Sequence, residues 1–196
     1  MNRQNLRRDA RAHRRALSAK QQRQHAEAIS KHLRNSFLLH HQHYAGYCAT
    51  DGEVSLHALF KTLLTRAKHL YLPTLKPRTP ALYFKPYDLA APTTHNRFGI
   101  IEPATHQRFP AWALDVVFVP LVAFDTVGHR VGMGGGFYDR TFEFMRQNQR
   151  HTPKLVGVAH ECQKYPYLSQ QAWDIPLSYV VTEQRLYQFS SGLGTL

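Results

Sequence analysis

The chain has 196 residues, 43% of them hydrophobic, which is enough to bury one sizeable core and excludes an intrinsically disordered polymer. Its 25 Lys and Arg against 13 Asp and Glu give a formal net charge of +12, which favours anionic partners without choosing among nucleic acid, phosphates and polycarboxylates. The arginine-rich start has no apolar signal segment, and the longest apolar run (116–124) is too short to span a bilayer; the expectation is a soluble, cytoplasmic protein without a membrane partner.

The first forty residues read as two helices. Leu6, Ala10, His13 and Leu17 form an apolar stripe at helical spacing, with arginines spread around it. Ser18 and Gln21 make a capping box that opens the second helix. This helix carries Ala26, Ile29 and Leu33 inward and stops near Asn35. Residues 43–49 read as a strand and "TDGE" (50–53) as a turn, followed by an amphipathic helix from about Ser55 to Lys68. Residues 69–73 and 81–87 are short strands separated by a proline-bearing loop, and 88–113 shows no clear element. Valine-rich 115–124 reads as one buried central strand. A helix is expected over 137–148, with further strands at 154–160 and 178–183. Strands alternating with helices predict a single α/β domain over 1–196 on a largely parallel sheet, with N-terminal helices in 1–36 and an α/β core in 43–185.

Between the central strand and that helix lies "RVGMGGGFYDR" (130–140), with glycine at 132, 134, 135 and 136. Each glycine in a packed element costs roughly 0.5–1 kcal/mol relative to alanine, so the cluster needs a reason. Successive glycine N–H groups at the start of a helix cradle anions, which makes a phosphate site the physical reading. The spacing is neither GxGxxG nor GK[ST], so neither the dinucleotide fingerprint nor the Walker loop fits. The residues alone stop at a phosphate loop of another kind.

The segment "DVVFVPLVAFDTVGHRVGMGGGFYDR" resembles the signature of the 5-formyltetrahydrofolate cyclo-ligase (5,10-methenyltetrahydrofolate synthetase) family in its bacterial form. The resemblance extends over nearly the whole chain, through "TDGEVSLHAL", "YLPTL", "FGIIEP" and "WDIPLSYVVTE" in the family's order. It implies the α/β fold shared with sugar-phosphate isomerases and CoA-transferase-like proteins. It also implies ATP-dependent closure of 5-formyltetrahydrofolate, a folate that carries an oligoglutamate tail in cells, to 5,10-methenyltetrahydrofolate, with Mg2+. By the same resemblance Arg3, Arg7, Arg130, Gly132, Met133, Gly134, Gly135, Gly136, Phe137 and Tyr138 bind ATP. Cys48, Glu53, Met133, Gly134, Gly135, Gly136 and Phe137 contact the folate, and Asp139 and Asp174 hold the metal. The chain departs from the common pattern at Arg3, where lysine is usual, and at Phe137, where many members have a second tyrosine.

The residues also allow plainer readings. Asp139 can be a first-turn helix acid worth ~0.3–1 kcal/mol, although a metal–nucleotide at this loop would need an adjacent carboxylate. Asp174 fits a turn before Pro176, and Glu53 fits the Gly52 turn ahead of an N-cap at Ser55. His40, His41 and His43 read as a solvated corner rather than a metal set. Cys48 and Cys162 form no CxxC and have no activating partner, which argues against a thiol nucleophile. A nucleic-acid-binding module would account for the charge, but no RRM, zinc or helix-turn-helix pattern appears. A sugar-phosphate isomerase would need a general base outside the ATP-linked set, and none is evident.

Overall fold

The computed structural model describes residues 2–147 and 152–189. Helices α1 (Arg3–Arg15) and α2 (Ala19–Arg34) open the chain, and the Ser18–Gln21 capping box forms as expected. The stripe on α1 needs a correction. Leu6 and Ala10 are buried, but His13 is exposed and Arg14 is completely buried in its place. A charge can take that position because fixed acceptors meet it there.

Strand β1 covers only His43–Ala45 and then leaves the ladder. Helix α3 (His57–Thr65) begins after Leu56, so Ser55 is not its N-cap, and it ends before Ala67, which sits at φ 53°. Strand β2 (His69–Leu75) runs through Pro73 into the expected loop and pairs antiparallel with β3 (Leu82–Pro86). The proline is tolerated because pairing of β2 with β1 has already ended at Tyr71. The segment read as irregular holds a small hairpin, β4 (Thr93–His95) and β5 (Ile101–Pro103).

The apolar run 115–124 is not one strand. It divides into β6 (Val116–Pro120) and β7 (Ala123–Phe124), and β7 pairs with β8 (Arg130–Val131). The break is held by side chains. Gln163 Nε2 donates to the carbonyls of Leu121 and Val122 at 2.8 and 3.0 Å, and Arg14 Nη1 donates to Leu121 at 3.0 Å. The expected helix over 137–148 is a five-residue α4 (Phe137–Thr141) followed by a 3-10 turn, Glu143–Gln147, with Phe142 buried between them; Asn148 lies outside the described residues. Strands β9 (Lys154–Val158) and β10 (Tyr179–Val181) follow as read, and β11 (Leu186–Gln188) adds an unanticipated edge.

Among the described residues these strands form a seven-stranded sheet in the order β11-β10-β9-β6-β1-β2-β3. Pairing is parallel from β10 to β2, and antiparallel at both edges. Val116 and Phe118 of β6 pack with α2 and α3 on one face, while Val117 and Val119 pack with Phe84, Phe142 and Ile175 on the other. Burial on both faces is why β6 reads as a continuous apolar run rather than an alternating one. Strand order reverses at the β6–β1 boundary, and the crevice beyond the carboxyl ends of such strands is where open α/β sheets bind ligands.

Candidate active site

That crevice is a cavity of about 550 Å³. Its floor is Tyr47, Cys48, Pro120 and Leu121, where the chain leaves β1 and β6. One wall is the glycine loop, a second is the start of α1, and a third is the β4–β5 hairpin. All fourteen residues expected at the site line it: Arg3, Arg7, Cys48, Glu53, Arg130, Gly132 to Asp139, and Asp174.

The glycine loop does not owe its form to a long helix. With α4 only five residues long, its dipole adds little, and the cradle is made by the loop backbone itself. Gly134 has φ 104° and Gly136 φ 65°, conformations in which a side chain is strained. Among the described residues, none of the N–H groups from Gly132 to Gly136 has a hydrogen-bond partner in the protein. Five consecutive free donors border the cavity. Arg7 stands against them, its Nε donating to the Gly132 carbonyl at 2.8 Å.

The two aspartates are positioned by arginines. Asp139 Oδ1 accepts from the buried Arg130 at 2.7 Å and from the Ile175 N–H at 3.1 Å. Arg130 also donates to the Ile175 carbonyl, so this buried side chain ties β8 to the segment that carries Asp174. Asp174 Oδ2 accepts from Arg3 and from the Gln171 N–H, which makes it a turn residue and a cavity residue at once. Among the described residues each acid keeps its other oxygen free of hydrogen bonds. Carboxylate oxygens, with water and phosphate, are the donors a magnesium ion takes, and each of these acids offers one. Arg3 Nε is buried with no partner, a donor left for something outside the protein.

Glu53 closes the turn that carries it. Its Oε2 accepts from the Thr50 N–H at 3.0 Å, and its own N–H donates to the Thr50 carbonyl at 2.9 Å. Burial raises its pKa against the lowering effect of the Thr50 N–H and of Arg14. Burial likewise raises the Cys48 thiol, which supports packing and not nucleophilic attack. Tyr138, next to the loop, is pushed well above the usual phenol range by burial and then by Glu53, so it is a neutral hydroxyl.

Several cavity residues had no distinctive sequence signal. Glu102 Oε1 accepts from the Leu75 N–H at 2.9 Å and from Asn96 Nδ2 at 2.8 Å, pinning the β4–β5 hairpin to the end of β2. The hairpin brings Phe98 to Phe137 in an edge-to-face contact, centroids 6.2 Å apart. Phe98, Met133 and Trp173 line the cavity yet are more than half exposed, the signature of an apolar wall awaiting a partner. The segments "FGIIEP" and "WDIPLSYVVTE" contain Phe98, Glu102 and Trp173, so the family resemblance was the available clue to them, while periodicity marked none of the three.

Residues 1–183 match the model of the 5-formyltetrahydrofolate cyclo-ligase family. The 5-formyltetrahydrofolate cyclo-ligase of Haemophilus influenzae is 41% identical over 179 residues, covering 89% of this chain and 94% of the relative. That of Escherichia coli K12 is 37% identical, covering 91% and 99%. The solved structure of Aquifex aeolicus 5,10-methenyltetrahydrofolate synthetase superposes with a TM-score of 0.82 at 31% identity, covering 100% of this chain and 97% of that one.

Proposed function

Because the chain belongs to the 5-formyltetrahydrofolate cyclo-ligase family, we propose that it is an ATP-dependent ligase that closes 5-formyltetrahydrofolate to 5,10-methenyltetrahydrofolate, releasing ADP and phosphate. The observation that carries this reading is the cavity at the β6–β1 switch, where free backbone donors, two arginines and two arginine-held carboxylates face an apolar wall. A triphosphate suits the first set and a pterin suits the wall.

The N5-formyl group is a stabilised amide whose oxygen leaves poorly. Transfer of the γ-phosphoryl to that oxygen breaks the bond to the ADP oxygen and gives an imidoyl phosphate. N10 then attacks the formyl carbon, loses its proton, and phosphate departs with the former formyl oxygen. No covalent enzyme intermediate is required; in-line positioning and charge cancellation suffice.

The N–H groups of Gly132 to Gly136 would receive phosphate oxygens, with Arg3 and Arg7 adding charge from α1. Arg130 fixes Asp139, and Arg3 fixes Asp174; these acids would hold Mg2+, which neutralises phosphate charge when bound. Cys48, Glu53, Met133 and Phe137, which also line the cavity, would contact the folate, and Tyr138 would face the nucleotide. A second groove on α1 is lined by Gln4, Asn5, Arg7, Arg8, Arg11 and Arg15, and shares Arg7 with the cavity. An oligoglutamate tail on the substrate would lie along it.

The deciding experiment mixes the protein with 5-formyltetrahydrofolate and MgATP and follows the near-ultraviolet absorbance of the methenyl product. Growth of that band with equal release of ADP establishes the activity. No band at high enzyme, with the protein folded, rejects it.

A further inference from the structure

Outside the cavity, three side chains from three elements converge. They are His25 of α2, His160 just beyond β9, and Glu183 just beyond β10, and their donor atoms all lie within 4.8 Å of one another. His25 Nδ1 is 2.9 Å from His160 Nδ1 and 3.7 Å from Glu183 Oε1. His160 is completely buried, and the other two side chains are about four-fifths covered, at 20% and 18% exposure.

The hydrogen bonds around the cluster fix its orientation. His160 Nε2 lies 3.2 Å from the Gly52 carbonyl oxygen, which can only accept. Nε2 therefore carries the ring proton, and Nδ1 turns a lone pair toward His25. Glu183 Oε2 accepts from the Glu161 N–H at 3.0 Å, leaving Oε1 for the cluster. A histidine that donates its far N–H to a carbonyl, beside a carboxylate held by a backbone N–H, is the outer arrangement typical of metal ligands.

We infer that His25, His160 and Glu183 form a site for one divalent transition-metal ion of the zinc class. Around a tetrahedral ion with bonds of about 2.0–2.1 Å, ligand atoms sit roughly 3.3 Å apart. Two of the separations, 2.9 and 3.7 Å, bracket that value and the third lies within 4.8 Å, so rotations of His25 and Glu183 would admit the ion. Two imidazoles and one carboxylate favour zinc-like ions over magnesium or calcium, which take oxygen. The neighbouring charge of Arg14 is matched by Asp51. Water would complete the shell on the partly exposed side. The ion would tie α2 to the ends of β9 and β10, and through His160 to the Gly52 turn.

The test uses the full chain, stripped with a chelator and titrated with Zn2+ by calorimetry, and separately with Co2+ to read the absorption of a tetrahedral ion. His25→Ala and Glu183→Gln are compared with the parent, and melting temperatures without metal check that both variants fold. One equivalent bound, a tetrahedral cobalt spectrum, and a loss of affinity of tenfold or more in both variants are expected. No saturable binding, or a smaller loss in either folded variant, overturns the site; zinc then sits on the other histidines or nowhere.

Discussion

The buried guanidinium of Arg14 grips Asp51 twice, donating from Nη2 to its carboxylate at 2.7 Å and from Nε to its carbonyl at 2.8 Å. Asp51 sits at φ 54° in the turn before Glu53, and its carboxylate also accepts from Arg11 and Arg15. Burial would raise the Asp51 pKa, but three arginine hydrogen bonds hold it below the usual carboxylate range. One acid thus docks α1 onto the sheet, and docking places Arg3 and Arg7 over the cavity. Removing one partner of a buried pair leaves the other uncompensated, at a cost of about 3–5 kcal/mol. Asp51→Ala should therefore lower the melting temperature sharply. If it still folds in the cold, it should weaken ATP binding more than folate binding. An Asp51→Ala melting curve like the parent's would show that the clamp is ornamental.

This arrangement also marks how far the sequence could be read. Periodicity gave α1 and α2, and the alternation of strands with helices gave a largely parallel sheet, because those patterns are local. Periodicity placed His13 inside and Arg14 outside, since a helical wheel has no means of knowing that Asp51 and the Leu121 carbonyl wait thirty-seven and more residues away. The split of 115–124 was hidden for a similar reason: Gln163 and Arg14 create it from a distance. The glycine loop was legible because its motif is dense and specific, whereas Arg3, Arg7, Cys48, Glu53 and Asp174 came only through the family resemblance. The His25–His160–Glu183 cluster was not legible, because its members are scattered through the chain.

Asp139 serves both the proposed metal and the buried Arg130. Asp139→Asn keeps an oxygen for the Ile175 N–H but removes the charge. Turnover should fall at least a hundredfold, with part of the loss recovered at high Mg2+, and stability should drop because Arg130 keeps its charge without a counter-ion. Initial rates against Mg2+ concentration, read beside melting curves, separate the two effects. Unchanged turnover at low Mg2+ would remove Asp139 from the metal site.

His160 gives a pH dependence with a definite sign. Burial, then repulsion from His25, holds its pKa down to about 4, below the ~6.5 of an unfolded histidine. The unfolded chain therefore binds the proton first. The contribution of His160 is full above about pH 6.5 and is lost as pH falls toward 4, on the order of 2–3 kcal/mol. Urea unfolding of metal-free protein across this range should show the loss, and His160→Gln should flatten it. A parent curve no steeper than that of the variant would contradict the shift.

The arginine groove on α1 predicts salt-sensitive tail recognition. Affinity for the folate should rise with each added glutamate, and that gain should shrink as salt passes about 0.15 M, where the Debye length is ~8 Å. Arg8→Gln, at an exposed position in the groove, should reduce the gain for long tails while leaving the monoglutamate unaffected. Tail preference that ignores both salt and Arg8 would place the tail elsewhere.

The glycine loop allows the cradle to be separated from the turn. Gly134 and Gly136 have positive φ, so alanine there costs about 1–2 kcal/mol whether or not ATP binds. A Cβ on Gly136 would also come within 3.0 Å of Arg140 Nη1. Gly135 has no such φ, yet its Cβ would meet the Phe137 ring at 2.6 Å, so Gly135→Ala is tolerated only if that ring swings aside. Gly132 is the cleanest probe, because its Cβ would meet no atom within 4 Å. Gly132→Ala should leave the melting temperature of the free protein within a degree or two. If phosphate lies against this backbone, as the unpaired N–H groups suggest, the same methyl group should weaken ATP at least tenfold and erase most of the thermal shift that MgATP gives the parent. Undiminished ATP affinity in Gly132→Ala, together with losses in Gly134→Ala and Gly136→Ala no larger than their stability explains, would mean that the glycines shape a turn and that the phosphates bind elsewhere.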